Sequence, residues 1–171
     1  MDPKLFDLSG RVVVITGAAG LLGRQHANAI ASFGGTPILL DLKLEQVEHL
    51  AYELNKLYEV NSSGYAVDVT CETEIEGNSQ KLLEKYGKID ALVNNAANNP
   101  KVEIQEGKFF SRLEHFPLEI WNADVAVGLT GAFLCAKYFG TVISLNPKGG
   151  VILNISSDLG LIAPDQRLYK K

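Results

Sequence analysis

Between a β-branched run and a stretch of helical period, the chain carries Thr16-Gly17-Ala18-Ala19-Gly20-Leu21-Leu22-Gly23. These residue types let a backbone close around an anion. Each glycine has its own task at such a junction: Gly17 permits the tight turn, Gly20 lets the backbone approach a pyrophosphate, and Gly23 lets the helix pack hard on the strand. The helix that follows offers unpaired N–H groups and a partial positive charge, so the attraction for phosphate is local and built from backbone. No Lys-Ser or Lys-Thr follows, which separates the loop from a mononucleotide phosphate loop. Asp41 stands 18 residues past Gly23 at the end of the second predicted strand. An acid there can accept both adenosine ribose hydroxyls and repels a 2′-phosphate, so NAD is expected over NADP, with Lys43 the one neighbour that would soften the exclusion. The simpler alternatives are a plain strand–helix turn and an Asp41 that caps the next helix. The loop's place at the head of the chain, after a buried strand, favours the dinucleotide.

The elements that must hold these residues follow from periodicity. Arg11 to Thr16 is a near-continuous apolar run, the pattern of a strand buried on both faces. Gly20 to Phe33 reads as a helix with Leu21, Leu22, Ala27, Ile30 and Phe33 on one side. Thr36 to Leu40 is a second strand, and Leu44, Val47, Ala51, Leu54 and Leu57 mark an amphipathic helix. Gly64 to Val69 gives a third strand, Glu72 to Tyr86 a helix closed by Gly87, and Ile89 to Val93 a fourth strand. A polar connection runs from Asn94 to about Pro117. A long helix is expected over Leu118 to Leu145, stopped by Asn146-Pro147 and Gly149-Gly150, before a fifth strand over Val151 to Ile155. Strict strand–helix alternation predicts an α/β domain, a doubly wound parallel sheet with helices on both faces.

Composition narrows the function. The 171 residues are 46% apolar and 21% charged, enough for a packed core. A net charge of −4 gives no basic field for nucleic acid or an anionic membrane, so neither is expected as a partner. No run approaches about 18 consecutive apolar residues, and Met1-Asp2-Pro3-Lys4 lacks the order of a signal peptide. Cys71 and Cys135 read as ordinary intracellular thiols, and His26, His49 and His115 as surface residues without metal spacing. A cytoplasmic protein without a metal is expected. Phe109, Phe110 and Trp121 are read as packing residues rather than as the lining of a substrate site.

With three later segments in register with the glycine loop, the pattern resembles the short-chain dehydrogenase/reductase family over nearly the whole chain. The loop from Thr16 to Gly23 matches the family's glycine loop, with the spacing of its extended members. Asp68-Val69 is similar to the pair that contacts adenine. Asn94-Asn95-Ala96-Ala97 is similar to the Asn-Asn-Ala-Gly signature that stabilises the sheet and lies along the cofactor. Asn154-Ile155-Ser156-Ser157 resembles the end of the fifth strand, whose second serine is catalytic in the family. The resemblance implies a Rossmann fold. It also implies an NAD-dependent oxidoreductase interconverting a secondary alcohol and a ketone on a small polar substrate. The cofactor set it implies is Gly17, Ala19, Gly20, Leu22, Gly23, Asp41, Asp68, Val69, Asn95, Ala96, Ala97 and Ile155, with Ser157 catalytic. A homo-dimer or homo-tetramer is implied through the apolar helix around Thr130 to Phe139.

Two features depart from the family. Gly128 occupies a place where an asparagine is usual, and a glycine there can bend the helix and admit water. The Tyr-x-x-x-Lys pair is incomplete: Tyr169 is followed only by Lys170 and Lys171. The stretch from Pro164 to Lys171 is read as a charged insertion, with the Tyr/Lys pair and the family's C-terminal strands and helices expected beyond it. The Asp158-Leu159-Gly160-Leu161-Ile162-Ala163-Pro164-Asp165-Gln166 stretch resembles relatives linked to bacterial flagellin or surface-sugar modification, which implies a sugar-like substrate. Two alternatives stay open. One is a dinucleotide-binding module without turnover, and the other a sugar-nucleotide dehydratase or epimerase that uses NAD transiently.

Overall fold

The computed structural model describes residues 3–98, 113–162 and 165. Five strands, β1 (Val12–Thr16), β2 (Thr36–Asp41), β3 (Ser63–Ala66), β4 (Ala91–Asn94) and β5 (Val151–Asn154), form one sheet in the order β3-β2-β1-β4-β5. Every pair is parallel, with Val14 opposite Ile38 and Leu92, and Asn94 opposite Asn154. The chain reverses its winding direction between β1 and β4, the place where an open α/β sheet leaves a crevice at its carboxyl edge.

All five residues of β1 are buried, as the unbroken apolar run requires of a central strand. Their alternation divides the core in two. Val12 and Val14 pack with Ile38, Leu40 and Leu92 against Ile75 and Leu82 of α3 (Glu72–Tyr86) and Phe139 and Ile143 of α5 (Ala132–Ser144). Val13 and Ile15 pack with Leu39 and Val93 against Ala27 and Ala31 of α1 (Leu21–Ser32) and Val47, Leu50 and Leu54 of α2 (Leu44–Tyr58). Gly87 closes α3 at φ +74°, as expected.

Three expectations need correction. The inner face of α1 is Gly23, Ala27 and Ala31, not the leucines. Leu21 is 83% exposed and Leu22 55%, because the first turn faces the carboxyl edge of the sheet rather than its core. The third strand stops at Ala66, where its register with β2 ends at Asp41, so Val67 to Val69 belong to the loop over that edge. His26 is half-buried with its Nε2 enclosed and unpartnered, so it is not a surface residue.

The helix expected over 118–145 is continuous but not uniform: α4 (Leu118–Val125) passes through a π-helical segment, Ala126–Gly131, into α5. It is the one described helix long and apolar enough to cross a membrane by length and composition, with mean hydropathy 1.5. Its inner face, with Cys135, Phe139 and Ile143, is packed on the sheet. Among the described residues β5 pairs with β4 alone, and all four of its residues are exposed.

Asp90 ties the amino edge of the sheet together. Its Oδ2 accepts the Val12 amide at 2.9 Å, and Arg11 and Lys88 each reach it at 2.9 Å. Burial pushes this carboxyl up, but the Val12 N–H, Lys88 and Arg11 outweigh it and hold it below the ordinary aspartate value.

Candidate active site

β1 delivers Thr16 and Gly17 to the carboxyl edge. Gly17 has φ +63°, and a Cβ there would stand 2.9 Å from Ala96 Cα, so both the turn and the closeness of the segment after β4 demand glycine. That segment is laced to the loop. Thr16 Oγ1 accepts the amides of Asn95 and Ala96 at 3.0 Å each, and Asn95 Nδ2 donates to the carbonyls of Thr16 at 3.0 Å and Gly17 at 3.1 Å. A Cβ on Gly23 would fall 2.2 Å from Gly17 O, so α1 can press this close only without a side chain there. Gly20 caps α1 with no side-chain hydrogen bond to its first turn, which leaves that turn's amides to an anion.

Asp41 does not cap α2, whose N-cap is Lys43 without a side-chain bond. Its Oδ2 accepts the Ala19 amide at 2.9 Å and its Oδ1 accepts the Leu42 amide at 2.8 Å. Arg24 Nε donates to Ala19 O at 3.0 Å, so the Ala19 residue is held from both ends. Each carboxylate oxygen has a second lone pair, enough to accept a ribose hydroxyl as well. Asp68 Oδ1 accepts both the amide and the hydroxyl of Thr70, at 2.8 and 2.7 Å, which fixes the carboxylate at the loop after β3.

Two adjoining cavities cover this edge. One, of about 430 Å³, is lined among others by Gly17, Gly20, Leu22, Asp41, Asp68 and Asn95. The other, of about 470 Å³, includes Thr16, Asn94, Gly128, Asn154, Ile155 and Ser156 in its wall. Val69, Ala96, Ala97 and Val127 line both, so together they make one trough from the end of β2 to the end of β5. Three expected site residues lie outside the lining. Ala19 acts through its backbone bonds, Gly23 sits behind the loop, and Ser157 is exposed with its hydroxyl donating to Asp158 Oδ1 at 3.1 Å. Its neighbour Ser156 faces the cavity instead. Leu21, Leu42, Val127 and Asn154 line the trough without having been expected there. Tyr169, Phe109 and Phe110 lie outside the described residues.

The far wall comes from the π segment. Gly131 brings it against the loop after β3, where a Cβ would meet Val69 Cγ2 at 2.9 Å. Asn94 Nδ2 donates to Asn154 Oδ1 at 2.8 Å across the β4–β5 pair, leaving Asn94 Oδ1 buried without a partner. Burial pushes the Cys135 thiol up to about 12, so it supplies no nucleophile to the cavity it borders. Among the described residues no group of three or more His, Cys, Asp or Glu could hold a metal ion.

The features fit a dinucleotide: an α1 N-terminus without a side-chain cap, a loop that leaves no room for a Cβ at Gly17 or Gly23, and an acid at the end of β2 bonded to that loop. They recur in known proteins. The profile of the short chain dehydrogenase family matches residues 11–168. The chain is 31% identical to the D-threitol dehydrogenase of Mycolicibacterium smegmatis over 163 residues, which are 95% of this chain and 58% of that protein. It is also 31% identical to the NAD-dependent glycerol dehydrogenase of Listeria innocua, covering 96% and 59%. The crystal structure of an NAD+-bound xylitol dehydrogenase superposes with a TM-score of 0.81 at 27% identity, covering 92% of this chain and 56% of that one. The chain therefore spans a little over half the length of these relatives. With its sheet, its glycine loop and this match over residues 11–168, the chain belongs to the short-chain dehydrogenase/reductase family.

Proposed function

We propose that this chain forms the cofactor-binding part of an NAD-dependent oxidoreductase that interconverts a secondary alcohol and a ketone on a small, polyol-like substrate. The observation that carries the reading is the pair of adjoining cavities, sharing Val69, Ala96, Ala97 and Val127, that reach from Asp41 at the end of β2 to Asn154 and Ser156 at the end of β5. NAD would lie along them, with its adenosine ribose at Asp41, adenine against Asp68 and Val69, and pyrophosphate at Gly17, Gly20 and Leu22. When bound, the dinucleotide accepts or returns the hydride. Asn95, Ala96 and Ala97 shape the floor, and Ile155 continues the β5 edge towards the reacting end. The preference for NAD rests on the Asp41 carboxylate, which favours ribose hydroxyls and opposes a 2′-phosphate. The names of the related threitol, glycerol and xylitol dehydrogenases support a polyol, in keeping with the sugar-like substrate expected from the 158–166 stretch.

Ser157 is proposed to donate a hydrogen bond to the reacting oxygen, which needs it as charge develops there. The Tyr/Lys pair that would move the proton is proposed to lie outside the described residues. The exposed Trp121 supports a homo-dimer or homo-tetramer through the long helix, and the proposed compartment is the cytoplasm. A module that binds NAD without turnover is the second reading, favoured by the engagement of Ser157 with Asp158 rather than with the trough.

The test uses the protein expressed from its whole reading frame, with NADH formation followed on glycerol, threitol and xylitol. Ser157→Ala should lower kcat by about 10²–10³, the usual cost of one donor to a developing oxyanion, while Ser156→Ala costs much less. The reverse order would move the role to Ser156. No turnover by the unmodified protein, with NAD still bound, would establish the binding module.

A further inference from the structure

The three residues after Gly17 are fixed in different ways. The Ala18 amide donates to Leu40 O at 3.0 Å and the Gly20 amide to Gly17 O at 3.1 Å, so backbone holds both. Ala19, between them, is held by side chains at each end. Its amide donates to Asp41 Oδ2 at 2.9 Å, and its carbonyl accepts Arg24 Nε at 3.0 Å. Arg24 stands one turn into α1, with its own amide on Gly20 O at 3.1 Å, so its side chain reaches back to the loop it follows. Asp41, Gly17 and Gly20 line the 430 Å³ cavity, whereas Arg24 lines neither cavity. The arginine meets the loop and not the ligand space.

We infer that Arg24 is a positioning residue for the choice of cofactor: through Ala19 it fixes the direction in which the Asp41 carboxylate meets the adenosine ribose. The inference rests on the NAD reading above and extends it to a residue that touches no cofactor. Gly20 leaves the Ala19–Gly20 peptide free to swing, and a swing carries the Ala19 amide off Asp41 Oδ2. The bond on Ala19 O stops that motion, and because Nε–H belongs to the planar guanidinium its direction is set with the side chain. A carboxylate kept in place by the Ala19 and Leu42 amides offers its remaining lone pairs to the ribose hydroxyls. Once it drifts, NAD loses part of those bonds. NADP, whose 2′-phosphate gains nothing from Asp41, loses less. A cation that served the 2′-phosphate directly would act in the opposite sense, since its removal would weaken NADP more.

The experiment titrates NAD and NADP calorimetrically, at one ionic strength, into the whole-frame protein and into Arg24→Gln and Arg24→Met, beside thermal melts. Glutamine places its Nε2 donor at the same position along the side chain as the arginine Nε and removes the charge. Methionine removes both donor and charge, and all three residues are good helix formers, so α1 is kept. Arg24→Met should lower the NAD-over-NADP ratio by about 2- to 10-fold, the worth of one net hydrogen bond, while Arg24→Gln stays near the parent ratio. Equal ratios in the two variants, at any melting temperature, overturn the inference and leave the NAD reading standing. A ratio that rises in both assigns Arg24 to the 2′-phosphate and overturns it as well. A parent protein that binds neither dinucleotide, or prefers NADP, overturns the NAD reading and the inference with it.

Discussion

Asp41→Asn separates two roles that the carboxylate combines. In the structure both oxygens are engaged, Oδ2 by the Ala19 amide at 2.9 Å and Oδ1 by the Leu42 amide at 2.8 Å. An asparagine keeps one acceptor and turns a donor towards the other amide, so one backbone N–H loses its partner. That should cost about 1–2 kcal/mol of stability, given the charge-assisted bond lost and the partly buried site. The second consequence concerns the ligand. A carboxylate close enough to accept a ribose hydroxyl lies within about 5 Å of where a 2′-phosphate would sit. Two unit charges at that distance and an effective dielectric of about 40 repel by about 1.7 kcal/mol, and a phosphate charge between one and two raises this to roughly 2–3 kcal/mol. Removing it should shift the NAD-over-NADP preference about 30- to 160-fold towards NADP. The assay is calorimetric titration of both dinucleotides into parent and variant at one ionic strength, beside thermal melts. A lowered melting temperature with an unchanged affinity ratio would refute the ribose assignment and leave Asp41 as a brace of the glycine loop.

Three further outcomes follow from the geometry. Gly23→Ala places a Cβ 2.2 Å from Gly17 O and should destabilise by about 1–3 kcal/mol, whereas Gly20→Ala, 3.2 Å from the same oxygen, should mainly weaken dinucleotide affinity; urea melts and titration distinguish them. Asp90→Asn should cost about 1–2 kcal/mol at pH 7. Because the folded-state pKa of Asp90 is depressed, its contribution is present above the unfolded value near 3.9 and is lost as pH falls through the folded one. The gap between parent and variant should therefore close as pH falls below the ordinary aspartate range in melts across pH. Cys135, buried with its thiol pushed up to about 12, should resist iodoacetamide at pH 8 until unfolding, while the half-buried Cys71 reacts in the native protein.

The sequence exposed most of what backbone chemistry demands and little of what direction decides. Gly17 and Gly23 were legible because a strand–helix junction at that spacing needs a positive φ and a close helix, and both are present. The place of Asp41 beside the glycine loop was legible from its distance along the chain. Grouping Leu21 and Leu22 with Ala27 on one side of α1 fails because periodicity counts apolar residues without telling which side of a first turn meets the sheet; here that side belongs to Gly23, and the leucines line the cavity at the sheet edge. The π register at Ala126–Gly131 was only hinted at by Gly128, since one inserted residue rotates every later side chain without altering composition. At the end of β5 the alternation stops at Asn154, so nothing in the pattern decides which of Ser156 and Ser157 turns into the cavity.

The central claim, that one trough holds NAD from Asp41 to the end of β5, is tested most directly by a crystal structure of the whole-frame protein with NAD bound. The account predicts the adenosine ribose hydroxyls on Asp41, the pyrophosphate at the amides that open α1, and the nicotinamide in the cavity walled by Gly128, Asn154 and Ser156. A dinucleotide bound in the opposite direction, or away from Gly17 and Asp41, would contradict it.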